Sequence, residues 1–378
     1  MSKSSSRRQF LAGSLALAAG ETANGAGPAG PSYAMLGRTG LKVTRLVYGS
    51  CTGNEPKVIT RAVDLGINFI DTSRDYQRGN NERLVAIGLK GVRDKVILSS
   101  KGIDVDVPGQ PSAPQESVQE ALAQLETSLK ELQTDHLDIW YLHHKDRPDQ
   151  ITDALLEATR LAKKQGKIRF AGVSTHRIDA TADFITKCEE IDVVMTTYSF
   201  LSPPEIGAGI EKVHKAGKGV VSFKSTAGGK RGSNPAMKRD GGMVAAYRWT
   251  LKNPNVDVVE SNIESFAQLE ENLAVMQPFT VQDEKLLRAR FYQLDAIQCR
   301  MCGHCENACR LGLPVEDIQR YLMYAEGYGQ FEFGREKFLR LPETIRQVSC
   351  GDCARCTVQC RFGIDVARQV GKAQNMFA

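Results

Sequence analysis

The sequence predicts an α/β chain, a (β/α)8 barrel followed by a small α-helical, cysteine-rich domain. Two observations predict this architecture. Short β-rich runs alternate eight times with amphipathic helical stretches over about 250 residues, the usual size of such a barrel. Eight of the ten cysteines lie between Cys299 and Cys360, beyond the last of these runs. We therefore predict a leader and linker at residues 1–31, a barrel at 32–283 and a second domain at 284–378.

The predicted strands are short runs rich in β-branched and aromatic residues and bounded by turn residues. They are residues 45–48, 68–71, 95–99, 136–142, 169–173, 193–198, 219–223 and 257–261. The amphipathic helical stretches are 55–65, 82–89, 117–132, 151–165, 181–189, 209–216, 243–251 and 265–275, with two more at 315–324 and 335–339. A doubly wound open sheet is the alternative, but no G-x-G-x-x-G follows the first strand.

Composition and charge narrow the class of protein. Hydrophobic residues make up 42% of the 378 residues and charged residues 25%, which is typical of globular chains and excludes disordered and fibrous ones. Lysine and arginine exceed aspartate and glutamate by 49 − 44 = 5, which gives no reason to expect a nucleic-acid partner. No apolar run reaches the roughly 18 residues of a membrane-spanning helix, so a polytopic membrane protein is excluded.

The first residues have the pattern of a secretory leader. Arg7 and Arg8 precede Phe10 and Leu11, a short apolar run follows, and a Gly/Ala/Pro-rich stretch leads into the barrel. The pattern resembles the twin-arginine export signal of bacteria; a disordered basic N-terminus is the alternative. The resemblance implies the twin-arginine export machinery as a partner and a periplasmic or otherwise exported protein, tethered to the membrane if the leader is not cleaved. Because this route carries folded proteins, it also implies a cofactor inserted before export.

The cysteines form two runs of identical spacing. They are Cys299-x2-Cys302-x2-Cys305-x3-Cys309 and Cys350-x2-Cys353-x2-Cys356-x3-Cys360. The runs resemble those of bacterial two-cluster ferredoxins, in which the fourth cysteine of each run binds the other cluster. This resemblance implies two [4Fe–4S] clusters in a ferredoxin-like domain, one held by Cys299, Cys302, Cys305 and Cys360, the other by Cys350, Cys353, Cys356 and Cys309. Disulfides and zinc are the alternatives, but the spacing suits neither. Arg310 and Arg361 stand where ferredoxins usually have proline.

Polar side chains follow three neighbouring strands of the predicted barrel. Asp71 and Tyr76 come after the second strand, Lys101 after the third and His143 after the fourth. Chemistry in such barrels takes place at the C-terminal ends of the strands. We expect Lys101 to lower the pKa of Tyr76, which would then donate a proton to a carbonyl oxygen. Asp71 would hold Lys101, and His143 would polarise the carbonyl.

These segments resemble the aldo-keto reductases. The similarity lies in residues 36–43, 66–76 and 128–143 and extends over the whole barrel. The resemblance implies a catalytic tetrad of Asp71, Tyr76, Lys101 and His143, a small carbonyl or alcohol substrate and an oxidoreductase activity.

The resemblance also implies a nucleotide site for NADP or NAD. Its residues would be Ser174, Thr175, Lys224, Glu271 and Asn272. Met195 stands where the family has a glutamine that binds the nicotinamide amide, and a thioether cannot replace that amide.

Three functions remain open. The chain could be an aldo-keto-reductase-like enzyme that carries a bound nicotinamide and exchanges electrons through the two clusters with an unknown redox partner protein. It could be an electron-transfer protein with a non-catalytic barrel, or an alcohol or sugar oxidoreductase that works without nicotinamide.

Overall fold

A computed structural model describes residues 30–103, 117–228, 241–294, 297–350, 353 and 356–378. The predicted leader and linker, residues 1–31, lie outside this range except for Gly30 and Pro31. Within the described part of the chain, no helix is long and apolar enough to cross a membrane.

Eight parallel strands close into a barrel, as the sequence predicts. They are β3 (Leu46–Gly49), β4 (Phe69–Asp71), β5 (Ile97–Lys101), β6 (Leu137–Leu142), β7 (Ile168–Thr175), β8 (Ile191–Thr197), β9 (Gly219–Phe223) and β10 (Val258–Asn262). Each strand pairs with its neighbours in chain order, and β10 pairs with both β9 and β3 to complete the ring. Strand β10 begins one residue later than predicted, because the Asp257 side chain accepts hydrogen bonds from the backbone of Val220 and Gly37.

A short hairpin that the sequence analysis did not predict covers one end of the barrel. It consists of β1 (Tyr33–Met35) and β2 (Lys42–Thr44), which pair antiparallel. Leu36, Leu41 and Val43 pack with interior residues of the barrel strands, among them Val47 and Phe69. The hairpin thus closes the N-terminal end of the barrel and leaves the C-terminal ends of the strands for a functional site.

Helices surround the barrel. They are α1 (Pro56–Asp64), α2 (Asn80–Leu89), α3 (Val118–Leu132), α4 (Asp153–Lys164), α5 (Ile178–Lys187), α6 (Pro204–Lys215), α7 (Gly242–Leu251) and α8 (Phe266–Leu273). Ser117 begins α3 with a capping box to Glu120, which explains why this helix agrees closely with the prediction. Helix α6 begins five residues before the predicted position because Pro204 occupies its first turn, where proline needs no hydrogen-bond partner.

A ninth helix, α9 (Val281–Leu294), joins the barrel to the C-terminal region. The domain boundary predicted at residue 283 falls inside this helix. Leu287, Phe291 and Leu294 pack against the barrel residues Phe200 and Ala245. The helix therefore packs as part of the barrel, and the cysteine-rich region follows it.

The C-terminal region has its own apolar core. Its helices are α10 (Val315–Leu322), α11 (Phe331–Leu339), α12 (Glu343–Arg346) and α13 (Val366–Phe377), and a π-helical turn, Met323–Gly327, continues α10. Ile318, Leu322, Phe338 and Phe377 pack in a cluster separate from that of the barrel. Of these helices, α10 and the end of α11 agree with the pattern of the sequence, whereas α12 and α13 were not predicted.

Candidate active site

The four residues of the predicted tetrad come together at the C-terminal end of the barrel. Asp71 and Lys101 are the last residues of β4 and β5, His143 follows β6, and Tyr76 begins a short 3-10 turn after β4. Tyr76, Lys101 and His143 line one pocket, and Asp71 lies beneath it. Neighbouring parallel strands thus place an acid, a phenol, an ammonium and an imidazole within reach of one bound molecule.

Asp71 and Lys101 form a buried ion pair. The carboxylate accepts hydrogen bonds from the Lys101 ammonium and the Ser99 hydroxyl, and the ammonium also donates to the carbonyl of Thr72 at 2.9 Å. Burial raises the pKa of Asp71, and the attraction of Lys101 opposes this. The pair holds the Lys101 ammonium 5.0 Å from the centre of the Tyr76 ring.

Tyr76 keeps its proton more firmly than the sequence predicts. Burial raises its pKa well above the ordinary value of 10.0, and the acidic groups of Cys51, Glu260, Asp71 and Tyr324 add to this. The predicted net lowering of this pKa is therefore wrong, because burial and these acidic groups outweigh the ammonium of Lys101. Asp71 balances the charge of Lys101, and the distant acidic groups could not be seen from the sequence. At neutral pH Tyr76 is a neutral phenol, suited to donate a proton.

His143 is oriented by a backbone carbonyl. Its Nδ1 lies 3.1 Å from the carbonyl oxygen of Gly102, so in the neutral ring Nδ1 carries the proton and Nε2 accepts. The ring meets that of Tyr76 edge to face, with the centroids 6.4 Å apart. Asp75 lies 3.6 Å from His143 Nδ1 and accepts a hydrogen bond from Lys337 at 3.1 Å. A residue of the C-terminal region thus holds the carboxylate that faces His143.

A second group of polar side chains lies along one side of the pocket, and the sequence did not predict this group. Asp146 Oδ2 lies 2.9 Å from His144 Nε2 and 3.2 Å from His176 Nδ1, and its Oδ1 accepts from the His176 backbone N–H at 2.6 Å. Lys224 Nζ lies 3.2 Å from His176 Nε2. Arg320, from α10, contacts Asp146 at 3.5 Å. These groups form a continuous row of proton donors and acceptors from Lys224 to His144.

Burial sets the protonation of this row. It lowers the pKa of His176 well below 6.5, so this imidazole is neutral. It also lowers the pKa of Lys224 to about 7, and Arg320 contributes, whereas Glu260, Cys51 and Asp146 oppose the shift. Lys224 therefore gains and loses a proton near neutral pH, as a general acid or base should.

The ligand atoms of His144, Asp146 and His176 lie within 4.8 Å of one another, which is also the spacing of metal ligands. Both imidazoles, however, already share hydrogen bonds with Asp146. The positive groups of Arg320 and Lys224 lie beside the cluster and repel a cation. The cluster therefore suits proton transfer better than metal binding.

The C-terminal region forms the roof of the pocket. Its lining residues are Tyr324, Tyr328, Gln330, Phe333 and Lys337. Gln330 Nε2 lies 3.7 Å from the sulfur of Cys51, a pocket residue that follows β3. The sequence analysis named none of these as site residues. The feature of the sequence that could have pointed to them is a group of aromatic residues beside Gly327 and Gly329, between the two cysteine runs.

Two of the five predicted nucleotide-binding residues line the pocket and three do not. Ser174 and Lys224 line the pocket. Thr175 is fully buried, and its hydroxyl donates to Asp146 and accepts from the backbone of Arg177. The amide of Asn272 is buried and donates to Ser261 at 2.9 Å. Thr175, Glu271 and Asn272 are not among the residues that line the pocket.

The first cysteine quartet surrounds a small cavity. Cys299, Cys302, Cys305 and Cys360 all line it, together with Glu316 and Gln319 of α10. Gly303, inside the run, packs against the barrel: a Cβ there would lie 1.8 Å from the Arg177 guanidinium. Arg177 in turn pairs with Glu306 at 3.1 Å and with Glu316 at 3.5 Å. The quartet therefore sits against the barrel surface.

The second quartet is also assembled. Burial raises the pKa of the Cys350 thiol, and the neighbouring thiols of Cys309, Cys356 and Cys353 raise it further. Cys305, Cys309, Cys350, Cys356 and Cys360 pack at the edge of the C-terminal core. The fourth cysteine of each run thus lies with the first three of the other.

All ten cysteines are free thiols. Proteins hold a [4Fe–4S] cluster by four cysteine thiolates, and each quartet offers four.

Known proteins resemble the barrel. The family model "Aldo/keto reductase family" matches residues 54–241. The oxidoreductase YrpG of Bacillus subtilis (strain 168) is 30% identical over 264 residues, which cover 63% of this chain and 78% of that protein. The match to the oxidoreductase YqkF of the same organism, also 30% identical, covers 45% of this chain and 57% of that relative.

Solved structures share the fold. An aldo-keto reductase from Bacillus halodurans in its holo form has a TM-score of 0.58 at 24% identity, covering 69% of this chain and 96% of that one. The matches confirm the predicted barrel and an oxidoreductase family. The cysteine runs lie beyond the residues that the family model matches.

Proposed function

Because this chain belongs to the aldo/keto reductase family, we propose that it interconverts a carbonyl and an alcohol in the pocket above Tyr76, with electrons carried by two [4Fe–4S] clusters. One observation carries the proposal: the segment between the two cysteine runs forms the roof over Tyr76, Lys101 and His143. Members of this family generally use NAD(P).

Tyr76 is the proton donor to the substrate oxygen in this proposal. Its raised pKa keeps the phenol protonated at neutral pH. The Asp71–Lys101 pair presents an ammonium beside the Tyr76 ring, where it stabilises the phenolate left after transfer. Nε2 of neutral His143 would accept a hydrogen bond from an alcohol and hold its oxygen near Tyr76.

Lys224 handles the second proton. Oxidation of an alcohol to a carbonyl releases two electrons and two protons, and reduction takes them up. Tyr76 exchanges one proton. Lys224, which has a pKa of about 7, exchanges the other, and Nε2 of the neutral His176 ring, 3.2 Å away, holds the Lys224 amino group in place. Asp146 fixes the orientation of His176 through its ring and backbone nitrogens.

The two cysteine quartets would hold the clusters. When bound, two [4Fe–4S] clusters supply one-electron donors or acceptors, so together they match a two-electron reaction. The connection to the pocket is short in sequence. Glu316 and Gln319 line the cavity of the first quartet, and Tyr324, one turn further along the same helical run, lines the pocket. A redox partner protein would exchange electrons with the chain at the C-terminal domain.

We also propose export by the twin-arginine route, which the sequence pattern at Arg7 and Arg8 supports. The double substitution Arg7→Lys and Arg8→Lys should leave the cofactor-loaded chain in the cytoplasm of a bacterial host. Cell fractionation with an antibody measures this. Equal export of the variant and the native sequence would exclude the route.

Turnover with a redox dye tests the function: the oxidised dye accepts electrons from alcohols and sugars, and the reduced dye donates electrons to aldehydes and ketones. Anaerobic, cluster-loaded protein is screened with small aldehydes, ketones, alcohols and sugars, and the Tyr76→Phe variant is compared on each active substrate. Loss of the phenol should lower the rate by about 10² to 10⁴-fold while iron content stays unchanged. Unchanged turnover in Tyr76→Phe would contradict a catalytic pocket. If no substrate reacts but a partner still reduces the clusters, the chain is an electron-transfer protein with a non-catalytic barrel.

A further inference from the structure

We propose that the C-terminal domain closes the mouth of the barrel to dinucleotides and leaves a pocket for one small polar molecule. The pocket above Tyr76 has a volume of about 110 Å³. Pockets for drug-sized ligands usually hold about 300–1,000 Å³. A dinucleotide would therefore have to displace part of the protein to enter.

The roof occupies the loop after β9, where the family resemblance expects phosphates. The backbone N–H of Gly228 donates to the hydroxyl of Tyr328 at 3.2 Å, so it has no free hydrogen for a phosphate. Gly327 lies so close that a Cβ on it would be 2.0 Å from the carbonyl oxygen of Gly228. A Cβ on Gly228 would be 1.7 Å from the side-chain nitrogen of Gln298. The C-terminal half of the chain thus packs directly on this loop.

Protein side chains also occupy the end of the expected nucleotide site that lies next to the tetrad, where the nicotinamide would bind. The Lys224 ammonium lies 4.2 Å from the centre of the Phe223 ring and 5.1 Å from that of Tyr324. It bridges a barrel residue and a roof residue. Met195, which lines the pocket, offers a thioether where the family has an amide, and the hydroxyl of Thr175 is already bound to Asp146. Of the groups expected to hold a nicotinamide carboxamide, the amide is therefore missing and the Thr175 hydroxyl is occupied. The Ser174 hydroxyl remains in the pocket lining, where it accepts a hydrogen bond from the backbone N–H of His144 at 2.9 Å.

The opposite end of the expected nucleotide site, on α8, fits a dinucleotide no better. Asn272 is 2% exposed and donates its amide to Ser261. Gln268, one turn earlier on α8, is 5% exposed and accepts from the backbone of Glu264 at 2.7 Å. The Asn272 amide thus holds the end of β10, and the Gln268 amide holds the loop that follows it. The described residues of this chain do not fit a nicotinamide dinucleotide.

The remaining pocket suits a small hydroxylated carbonyl or alcohol. Its lining combines proton donors and acceptors on several sides, including Tyr76, His143, Lys224, Glu260 and Lys337. Such a lining can bind several hydroxyl groups at once, while the small volume excludes larger ligands. The closure of the barrel mouth by the C-terminal domain does not depend on which reaction takes place in the pocket.

Binding of NADPH and NADH to the intact, cluster-loaded protein tests the proposal. Nucleotide fluorescence and equilibrium dialysis are followed anaerobically up to about 1 mM, and denatured protein is analysed for released nucleotide. We expect no saturable binding and no released nucleotide. Saturable binding of one nucleotide per chain, or release of one on denaturation, would overturn the proposal. A nicotinamide-dependent reductase of the same fold serves as the positive control.

Hydrogen exchange of residues 323–333 gives a second readout. With and without about 1 mM NADPH, this segment should exchange at the same rate. Altered exchange that saturates with nucleotide would show that the roof opens to admit it and would contradict closure. Iron content is measured on the same samples, so a failure of the cluster proposal is distinguished from a failure of this one.

Discussion

The barrel wall and the C-terminal roof build the pocket in different ways. The wall consists of strand ends, and its catalytic groups are fixed by a continuous core and a buried ion pair between Asp71 and Lys101. The roof rests on a smaller core and reaches the wall through single contacts such as Lys337 to Asp75 and Tyr328 to Gly228. The wall should therefore fold without cofactor, whereas the roof should depend on what the cysteines bind.

Loss of a cluster ligand should cause the largest difference in stability between the barrel and the C-terminal domain. In the Cys305→Ser variant we expect iron content to fall by about half, because one of two four-iron clusters loses a ligand. The C-terminal domain should then unfold at a lower temperature than the barrel. Iron analysis and thermal unfolding followed by circular dichroism measure both effects.

Cys188→Ser is the matched control, since Cys188 belongs to neither quartet. Its iron content should equal that of the native sequence. Full iron content in Cys305→Ser would show that this cysteine is not a ligand.

Removal of one partner of the buried ion pair should have the next largest effect. Lys101→Met leaves the carboxylate of Asp71 buried without its cation, which costs about 3–5 kcal/mol in the free energy of unfolding. Denaturant titration of the barrel transition measures this. Arg83→Met, which breaks an exposed pair with Glu131, is the control and should be close to the native sequence. Equal stability of the two variants would mean that the Asp71–Lys101 pair does not hold the wall together.

Lys224, between wall and roof, should make stability depend on pH. Its folded pKa of about 7 lies below the ordinary value near 10.4, so between these pH values the unfolded chain binds one more proton. Stability should therefore rise with pH across this window, by at most about 1.4 kcal/mol per pH unit. Lys224→Met should flatten the rise, and Lys212→Met, an exposed lysine, should not. Identical slopes in both variants would place the Lys224 pKa outside this window.

The smallest effect belongs to an exposed link between the two regions. Glu205 of α6 accepts hydrogen bonds from Arg361 at 3.1 and 3.3 Å, and the two side chains are 53% and 34% exposed to water. Exposed pairs contribute about 0.2–1 kcal/mol. Glu205→Gln should lower the stability of the C-terminal transition by no more than this in denaturant titration. A loss as large as that of Lys101→Met would make this surface pair a main support of the roof.

The sequence predicted the wall better than the roof for a physical reason. Alternating strands and helices fix which residues stand at strand ends, so Asp71, Lys101 and His143 could be placed from local patterns. The roof depends on how two separate cores dock, which no local period encodes. Tyr324 and Lys337 therefore looked like ordinary helical residues. The predicted direction of the Tyr76 pKa shift was wrong for the same reason, because Cys51, Glu260 and Tyr324 approach the Tyr76 phenol only in the folded chain.

Anaerobic single-turnover reduction of the clusters by substrate tests the central claim most directly. Oxidised, cluster-loaded protein is mixed with an active alcohol, and cluster absorbance and carbonyl product are measured together. The account predicts that each molecule of product bleaches two clusters by one electron each, without added nucleotide, and that Tyr76→Phe does neither. Product formed while the clusters stay oxidised would contradict the account, because the pocket and the cysteine-rich domain would then work independently.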